Sequence, residues 1–284
     1  MTKSGIGSKK QISKCVLKIN SEGYNLKFVS NFDITHFVSN GLKRIHLDKN
    51  WGVFIGSFED NKLHRHYAIQ LSIGIDKNVK VIDAEAREYV AEHLIIQDHV
   101  LHRLECKGNH ILILFNPFSR LGHYIQNQMN VSIGPLELNW ISQIKDSAKK
   151  YLEGTMSFDA LINDLLITWS KIDCLCDHVY HITDVRIAKA LSYIEDHEDR
   201  IIPVNEIAEG VNLSVDRFLH LFKSTTGMSY RRAQLWNKTQ RSLSDLRIHS
   251  ITETAYRHGF SDSAHYTRTF KENFGFSPKF ISKI

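Results

Sequence analysis

The sequence lacks long apolar runs and contains few cysteines. No segment approaches the roughly 18 apolar residues of a membrane span, and the polar stretch from Met1 to Lys10 has no apolar segment like that of a signal peptide. The four cysteines are Cys15, Cys106, Cys174 and Cys176. They include one C-x-C pair, which has neither the spacing of a CxxC redox motif nor a second pair to complete a zinc site. We therefore expect a cytoplasmic protein that has no membrane partner and whose cysteines are reduced, mostly buried thiols.

Positive charge is unevenly distributed along a chain whose net charge is only +5. Of the 284 residues, 42% are hydrophobic and 24% are charged, a balance typical of a folded chain with room for two domains. Residues 217–283 contain 12 Lys+Arg and 4 Asp+Glu, whereas residues 184–216 contain 3 Lys+Arg and 8 Asp+Glu. A basic run is often an ordinary solvated surface, but on helices that enter a DNA groove it would contact phosphates.

The hydrophobic pattern changes near Pro117. Short apolar runs between residues 25 and 115, such as 51–55, 68–75 and 111–115, predict the strands of a small β-barrel or sandwich. After Pro117, apolar residues recur with helical spacing. They are Ile141, Ile144, Ala148 and Tyr151 in a first helix and Phe158, Leu161, Leu165, Trp169 and Ile172 in a second. These helices either cap the barrel or pair two chains, and because their apolar faces exceed what a cap needs, we expect a homodimer through residues 136–172.

The carboxy-terminal part contains an internal repeat. Phe222, Lys223, Gly227 and Ser229 recur 48 residues later as Phe270, Lys271, Gly275 and Ser277, and Glu206, Ala208 and Asn212 recur 47 residues later as Glu253, Ala255 and Gly259. The repeat predicts one local architecture that is used twice, with one residue added inside the second copy.

Each copy has the residues that a helix-turn-helix requires. A small residue, Ala208 or Ala255, allows two helix backbones to approach, and four residues later Asn212 or Gly259 tolerates the positive φ of a tight turn. The capping and inward residues of the next helix are Ser214, Phe218, Leu221 and Phe222 in the first copy, and Ser261 or Asp262, Tyr266 and Phe270 in the second. Ordinary helical hairpins can show one such pattern, but two copies in register favour two helix-turn-helix units.

The same part carries the motifs of a known family. They are Pro203-Val-Asn-Glu-Ile-Ala208, Leu213-Ser214, Leu221-Phe-Lys223, Thr226-Gly-Met-Ser-Tyr-Arg-Arg232, Ser250-Ile-Thr-Glu-Thr-Ala255, His258-Gly-Phe-Ser-Asp-Ser-Ala-His265, Thr267-Arg-Thr-Phe270 and Phe274-Gly-Phe-Ser-Pro278. Over roughly residues 187–280 this pattern resembles the AraC/XylS family of bacterial transcription regulators. The resemblance implies an all-α DNA-binding domain of seven helices, in which a long helix, expected over residues 231–246, joins units at about 203–224 and 250–272. The chain departs from the family pattern in that helix, with Asn237, Lys238 and Thr239 in place of Leu, Arg and Leu, and Ser242 in place of Ala.

The resemblance also assigns DNA contacts by position. The residues implied to reach base edges are Asp216, Arg217, Leu219 and His220 in the first unit and Ser263, Ala264, Thr267 and Arg268 in the second, where His265 shares the outward face. The basic residues placed to meet phosphates are Lys223, Arg231, Arg232, Lys271 and Lys279, although any single lysine could equally be a solvated surface charge. Because phosphate would repel Asp216, base reading is expected to depend mainly on the second unit, where Arg268 is the best candidate for a bidentate contact to guanine. Two units about one turn apart would read successive major grooves of double-stranded DNA.

Histidines distinguish the amino-terminal part. His64, His66, Gln70 and Ser72 are expected on one face of a strand, a pattern that resembles the first motif of cupin barrels with Gln70 in place of the usual Glu. His102 falls where a second cupin histidine would. These residues could hold a divalent metal, line a small-molecule effector pocket or face water. Because the missing carboxylate removes a charged metal ligand, effector binding or a structural role is preferred, and no cofactor is required.

The sequence therefore predicts two domains and one leading function. Residues 1–180 would form a mainly β, cupin-like sensing and dimerisation domain that ends in helices, and residues 183–284 would form the DNA-binding domain. The leading hypothesis is a sequence-specific transcriptional regulator, not an enzyme, which is controlled by a small-molecule effector or by dimerisation and has RNA polymerase as a further expected partner. Two alternatives stay open: a cupin-type metalloenzyme fused to a DNA-binding domain, and a constitutive architectural DNA binder.

Overall fold

Strands dominate the described residues up to position 134. The computed structural model describes residues 44–48, 50–57, 60–172, 182, 184–197 and 200–282. The strands are β1 Arg44–Leu47, β2 Trp51–Gly56, β3 Asp60–His64, β4 Ile69–Gly74, β5 Val79–Asp83, β6 Glu88–Ala91, β7 His93–Ile96, β8 His102–Glu105, β9 His110–Phe115 and β10 Ile133–Gly134. They form a six-stranded sheet of order β1-β2-β9-β4-β7-β10 and a four-stranded sheet of order β3-β8-β5-β6. The strands predicted before residue 44, and Cys15, Cys174 and Cys176, lie outside the described residues.

Three helices pack against one face of the six-stranded sheet. They are α1 Arg120–Gln128, α2 Ile141–Leu152 and α3 Phe158–Ser170. The four predicted inward residues of α2 are buried, as are Leu161 and Leu165 of α3. These residues share one hydrophobic core with Ile69, Leu71 and Ile113 of the sheet. The apolar faces that favoured a homodimer therefore pack within the chain itself, and the homodimer stays a prediction without that support.

The opposite face of the same sheet belongs to a second core. Phe54 and Leu114 project from it because successive side chains of a strand point to opposite faces, and they share this core with Leu104 of the smaller sheet. Cys106 is also buried there. The core continues into the carboxy-terminal helices through Trp236, Phe270 and Phe274. The described residues thus all belong to one compact unit, and the domain boundary near residue 180 stays a prediction.

Seven α-helices follow among the described residues beyond position 182. They are α4 Val185–Asp196, α5 Val204–Gly210, α6 Val215–Thr226, α7 Tyr230–Arg241, α8 Ile251–Arg257, α9 Ser263–Phe274 and α10 Pro278–Ile281. A third core, which includes Ile187, Ala208, Phe218 and Phe222, holds α4 to α7 together. Within the described ranges, every helix is too short or too polar to cross a membrane.

The joining helix is shorter than the sequence predicts. A helix is expected over residues 231–246, whereas α7 ends at Arg241 and a short 3₁₀ helix follows at Asp245–Arg247. The Ser242 hydroxyl, at the end of α7, donates to the Thr239 carbonyl oxygen at 2.6 Å. A serine that hydrogen-bonds the preceding turn competes with the helical backbone pattern, and we attribute the early end of α7 to this contact.

Candidate nucleic-acid interface

The first candidate reading unit consists of α5, a turn and α6. Ala208 is buried where α5 packs on its neighbours, and Asn212 adopts the predicted positive φ of 55°. Ser214 begins α6, because its side chain accepts a hydrogen bond from the Arg217 backbone N–H. Phe218 and Phe222 are fully buried on the inner side of α6. These four expectations from the sequence are confirmed.

The second candidate reading unit repeats this arrangement with α8 and α9. Ala255 is fully buried and Gly259 has a φ of 68°. Of the two predicted caps, Asp262 is the one used: its Oδ1 accepts from the His265 backbone N–H at 2.6 Å. That N–H and the Ser261 hydroxyl lower the pKa of the Asp262 carboxyl, because hydrogen bonds to the charged form favour it. The cap is therefore an anion at neutral pH, at the helix end that favours negative charge.

The proposed DNA-contacting side chains lie on the outer sides of α6 and α9. In the first unit Asp216, Arg217, Leu219, His220 and Lys223 are exposed. In the second, Ala264, Arg268 and Lys271 are exposed, and Ser263, His265 and Thr267 are half-buried. Arg231 and Lys279 are exposed as well. Each of these side chains can reach a ligand outside the protein, which a groove or phosphate contact requires.

Arg232 differs from the other predicted phosphate ligands. Its side chain is 15% exposed and forms an ion pair with Glu272 of α9. Its guanidinium also lies over the Tyr67 ring, 4.5 Å from the ring centroid. Because both contacts hold the side chain inside the molecule, the structure corrects the assignment of Arg232 as a phosphate contact in this arrangement.

Two of the four departures from the family pattern, Thr239 and Ser242, form buried hydrogen bonds to α9. The Asn273 side-chain amide donates to the Thr239 Oγ1 at 2.8 Å, and the Ser242 Oγ lies 2.7 Å from the Tyr266 hydroxyl. All four residues are buried. Polar residues at these positions therefore pack α7 against α9 through mutual hydrogen bonds, which reduce the cost of burying polar groups in a core.

The roles of two lysines near the turns were not predicted from the sequence. Lys189 of α4 donates to the Gly210 carbonyl oxygen at 2.9 Å, and Lys238 of α7 donates to the Gly259 carbonyl oxygen at 2.7 Å. Both contacts satisfy a carbonyl near the end of the first helix of a unit, where helices leave such groups unpaired. The sequence contained a signal for these contacts, because the same spacing occurs twice: each lysine precedes its glycine by 21 residues.

The structure brings together the four residues predicted for the amino-terminal pocket or metal site. The sequence predicts one strand for His64, His66 and Gln70, but β3 ends at His64 and β4 begins only at Ile69. The two segments and β8 nevertheless converge, so that ring centroids of His64 and His66 lie 4.6 and 5.1 Å from that of His102. Gln70 Oε1 lies 3.0 Å from His66 Nε2. Burial, with smaller contributions from the neighbouring imidazoles, lowers the pKa of His66 to about 4 and the pKa of His102 well below its usual value. Both rings are therefore neutral at neutral pH.

Comparison with known proteins finds a matching family model and relatives for the carboxy-terminal part. A family model described as a helix-turn-helix domain matches residues 207–283. The HTH-type transcriptional activators RhaS of Salmonella arizonae and Salmonella paratyphi B are 30% identical over 109 residues, which cover 34% of this chain and 36% of each relative. The match thus spans about a third of the length of these relatives.

Similarity to solved structures extends over most of the chain. One such structure is an apo form of ToxT from Vibrio cholerae, with a TM-score of 0.52, 15% sequence identity, and coverage of 83% of this chain and 98% of ToxT. At this identity the similarity shows the fold alone: a β-rich part that is followed by helices, as in this chain.

Proposed function

We propose that this chain, whose residues 207–283 form a helix-turn-helix domain of the AraC type, is a sequence-specific DNA-binding transcriptional regulator. One observation supports the proposal: two helix pairs in one chain, α5 with α6 and α8 with α9, have buried aromatic side chains on the inner sides of α6 and α9 and exposed polar side chains on their outer sides. The basic segment found in the sequence includes both helices, which carry the exposed Arg217, Lys223, Arg268 and Lys271. Both reading units, joined by α7, would enter successive major grooves of one duplex.

The two units contribute differently in this proposal. On α9, the exposed Arg268 and the half-buried Thr267 and Ser263 can read base edges. On α6, Asp216 favours only a cytosine amino group as its partner, since a phosphate would repel it. Affinity that is independent of sequence would come from Lys223, Lys271 and other exposed basic residues.

The amino-terminal part would control DNA binding. We propose that residues 1–180 form a cupin-like barrel that senses a small-molecule effector. The proposal also includes a homodimer, RNA polymerase as a partner and a cytoplasmic location. The relatives matched by the carboxy-terminal part are named as transcriptional activators, and Gln70 replaces the carboxylate that a catalytic metal favours. Both points favour a regulator over the metalloenzyme alternative.

A competition assay tests the proposal. Purified full-length protein is offered random duplexes, the enriched sequence is identified, and its affinity is compared with that for a scrambled duplex of equal composition at several salt concentrations. We expect the selected duplex to bind at least 10³-fold more tightly, as is usual for specific sites, and the affinity for both to fall steeply with salt. Equal affinity for the two duplexes would exclude a sequence-specific regulator and favour an architectural DNA binder.

A further inference from the structure

Three imidazoles meet at the place where the β-sheet part contacts the second reading unit. One ring nitrogen from each of His64, His66 and His102 lies within 4.8 Å of the other two. His66 and His102 are buried and His64 is half-buried. Neutral imidazole is a common ligand of Zn²⁺ and neighbouring transition metals, which bind nitrogen at about 2.0–2.1 Å, so small side-chain rotations would bring three such nitrogens around one ion.

The hydrogen bonds of two rings leave their other nitrogen available as an electron-pair donor. His102 Nδ1 lies 2.8 Å from the Val100 carbonyl oxygen, and His66 Nδ1 lies 2.8 Å from the Ala68 carbonyl oxygen. A carbonyl only accepts, so each Nδ1 carries the proton and each Nε2 carries a lone pair. This is the arrangement that orients metal-binding histidines in proteins. Among the described residues, the buried His102 Nε2 has no hydrogen-bond partner, although buried polar atoms are rarely left unpaired.

Gln70 adds a second acceptor beside this cluster. Its Nε2 donates to the Ser72 hydroxyl at 3.0 Å, which turns its Oε1 toward the His66 Nε2. Two acceptor atoms, the Gln70 Oε1 and the His66 Nε2, then face one another without a proton between them. A cation would satisfy both, whereas without one the Gln70 amide would have to rotate and donate to His66.

The end of α9 lies directly against the cluster. A Cβ on Gly275 would come within 2.7 Å of the His64 Nε2, and the φ of Gly275 is +83°. The segment between β3 and β4 also binds this helix end, because the Tyr67 and Ala68 backbone N–H groups donate to the Glu272 and Asn273 carbonyl oxygens at 3.2 and 3.4 Å. A helix carries partial negative charge at its carboxyl end, which favours a nearby cation.

The first reading unit lacks this contact. Gly227 ends α6 as Gly275 ends α9, and its φ is +71°. A Cβ added to Gly227, however, would meet no atom of the described part of the chain within 4 Å. The cluster is thus linked to one unit of the repeat and not to the other.

We propose that His64, His66 and His102 bind one divalent transition-metal ion of the Zn²⁺ class at this contact, and that the ion regulates DNA binding by holding α9 against the β-sheet part. The regulatory step depends on the proposed DNA-binding function, whereas the metal site itself does not. The bound ion favours the position of α9 in which it contacts the β-sheet part. If DNA binds this position with a different affinity from other positions of α9, the ion changes the DNA affinity of the protein.

Metal binding is tested on the full-length protein with Co²⁺ and Zn²⁺. We expect one Co²⁺ per chain, with the visible absorption of nitrogen-coordinated Co²⁺, and its displacement by Zn²⁺. His102→Gln and His64→Gln should each weaken binding at least tenfold, while Gln70→Glu should tighten it because a carboxylate adds charge. His110→Gln is the matched control, since His110 is an equally buried histidine outside the cluster. Weak binding that is unaffected by His102→Gln and His64→Gln would overturn the site.

A pair of glycine variants tests the link to α9 without altering a ligand. Gly275→Ala and Gly227→Ala impose the same left-handed strain on an alanine, but only the first would push a methyl group against His64. We expect Gly275→Ala to weaken Co²⁺ binding about tenfold and Gly227→Ala to leave it unchanged. Equal metal affinity in both variants would show that the cluster is independent of α9.

Regulation is tested by measuring the Kd for selected duplex with Zn²⁺ and with a chelator. We expect at least a fivefold difference, and by thermodynamic linkage the duplex should change the Zn²⁺ affinity by the same factor. One bound ion with no effect on the Kd would overturn regulation and leave the metal site. Loss of sequence preference in both metal states would overturn the proposed function, whatever the metal stoichiometry. A protein that binds selected DNA but no metal would overturn only this further inference.

Discussion

At the scale of single residues, Arg268 lies exposed on α9 while the similarly charged Arg232 is held inside the molecule by Glu272 and Tyr67. We predict that Arg268→Ala weakens binding to the selected duplex by about 1–3 kcal/mol and relaxes preference at one guanine, because a bidentate contact supplies both energy and discrimination. Binding isotherms on the selected site and on its single-base variants measure both effects. An even loss of affinity on every sequence would show that Arg268 contacts the backbone instead.

Lys223 serves as the comparison for Arg268, since it is exposed on α6 and is predicted to contact a phosphate. Lys223→Ala should weaken all duplexes alike and lower the slope of log affinity against log salt by about one. The measurement is a salt titration of binding to the selected and scrambled duplexes. A base-dependent loss would place Lys223 in the groove.

His110 gives a pH dependence that is independent of DNA. Burial lowers the pKa of this histidine from 6.5 to about 4. Between those values the unfolded chain binds a proton that the folded chain does not, so the free energy of unfolding should fall as pH drops from 6.5 to 4. Urea unfolding at several pH values measures the fall, and His110→Gln should reduce its steepness. An unchanged slope in the variant would assign the effect to other groups.

At the scale of elements, the turns of the two units reach the same left-handed backbone conformation with different residues. Asn212 and Gly259 both have positive φ, which glycine adopts freely and asparagine tolerates. Asn212→Gly should therefore leave the free energy of unfolding nearly unchanged, whereas Gly259→Ala should lower it by about 1 kcal/mol or more. Urea unfolding of both variants checks the difference. Equal destabilisation would mean that the Asn212 side chain contributes beyond its backbone conformation.

The contact between α7 and α9 depends on buried polar pairs. Thr239→Val removes the acceptor of the Asn273 side-chain amide and should lower the free energy of unfolding by about 1–3 kcal/mol, because that amide stays buried without this partner. Adding Asn273→Leu should restore part of the loss, since both polar groups are then gone. A double-mutant cycle with additive effects would contradict this coupling.

At the scale of the whole molecule, the second reading unit and the β-sheet part share one core and a polar contact at α9. Arg232→Ala removes the ion pair with Glu272, and we predict faster hydrogen exchange at the Tyr67 and Ala68 amides, which donate to the end of α9. The salt dependence of DNA binding should stay unchanged, because Arg232 is not available to a phosphate. A slope lowered by about one would restore its assignment as a phosphate contact.

Much of the carboxy-terminal part could be predicted from the sequence because its signals are local. Small residues, turn residues and caps such as Ala208, Gly259 and Asp262 act within a few positions of one another, and the repeat shows them twice. The early end of α7 was not predicted, because the Ser242 hydroxyl that bonds the Thr239 carbonyl there also contacts Tyr266 of a distant helix, which no local pattern shows. Helix α1 was not predicted either, because it buries only Gly122 and Ile125 and so has little apolar periodicity.

The sequence by itself determined the caps, turns and buried faces of α5, α6, α8 and α9, the apolar faces of α2 and α3, and the residue types on the outer sides of α6 and α9. Helix period, capping and turn chemistry are properties of short segments. Only the tertiary structure decided what those surfaces meet. In it, α2 and α3 pack on the six-stranded sheet, and Arg232 forms an ion pair with Glu272. His64, His66 and His102 lie together next to Gly275. These contacts join residues far apart in the chain, and their formation depends on the burial of a shared core, which no local pattern specifies.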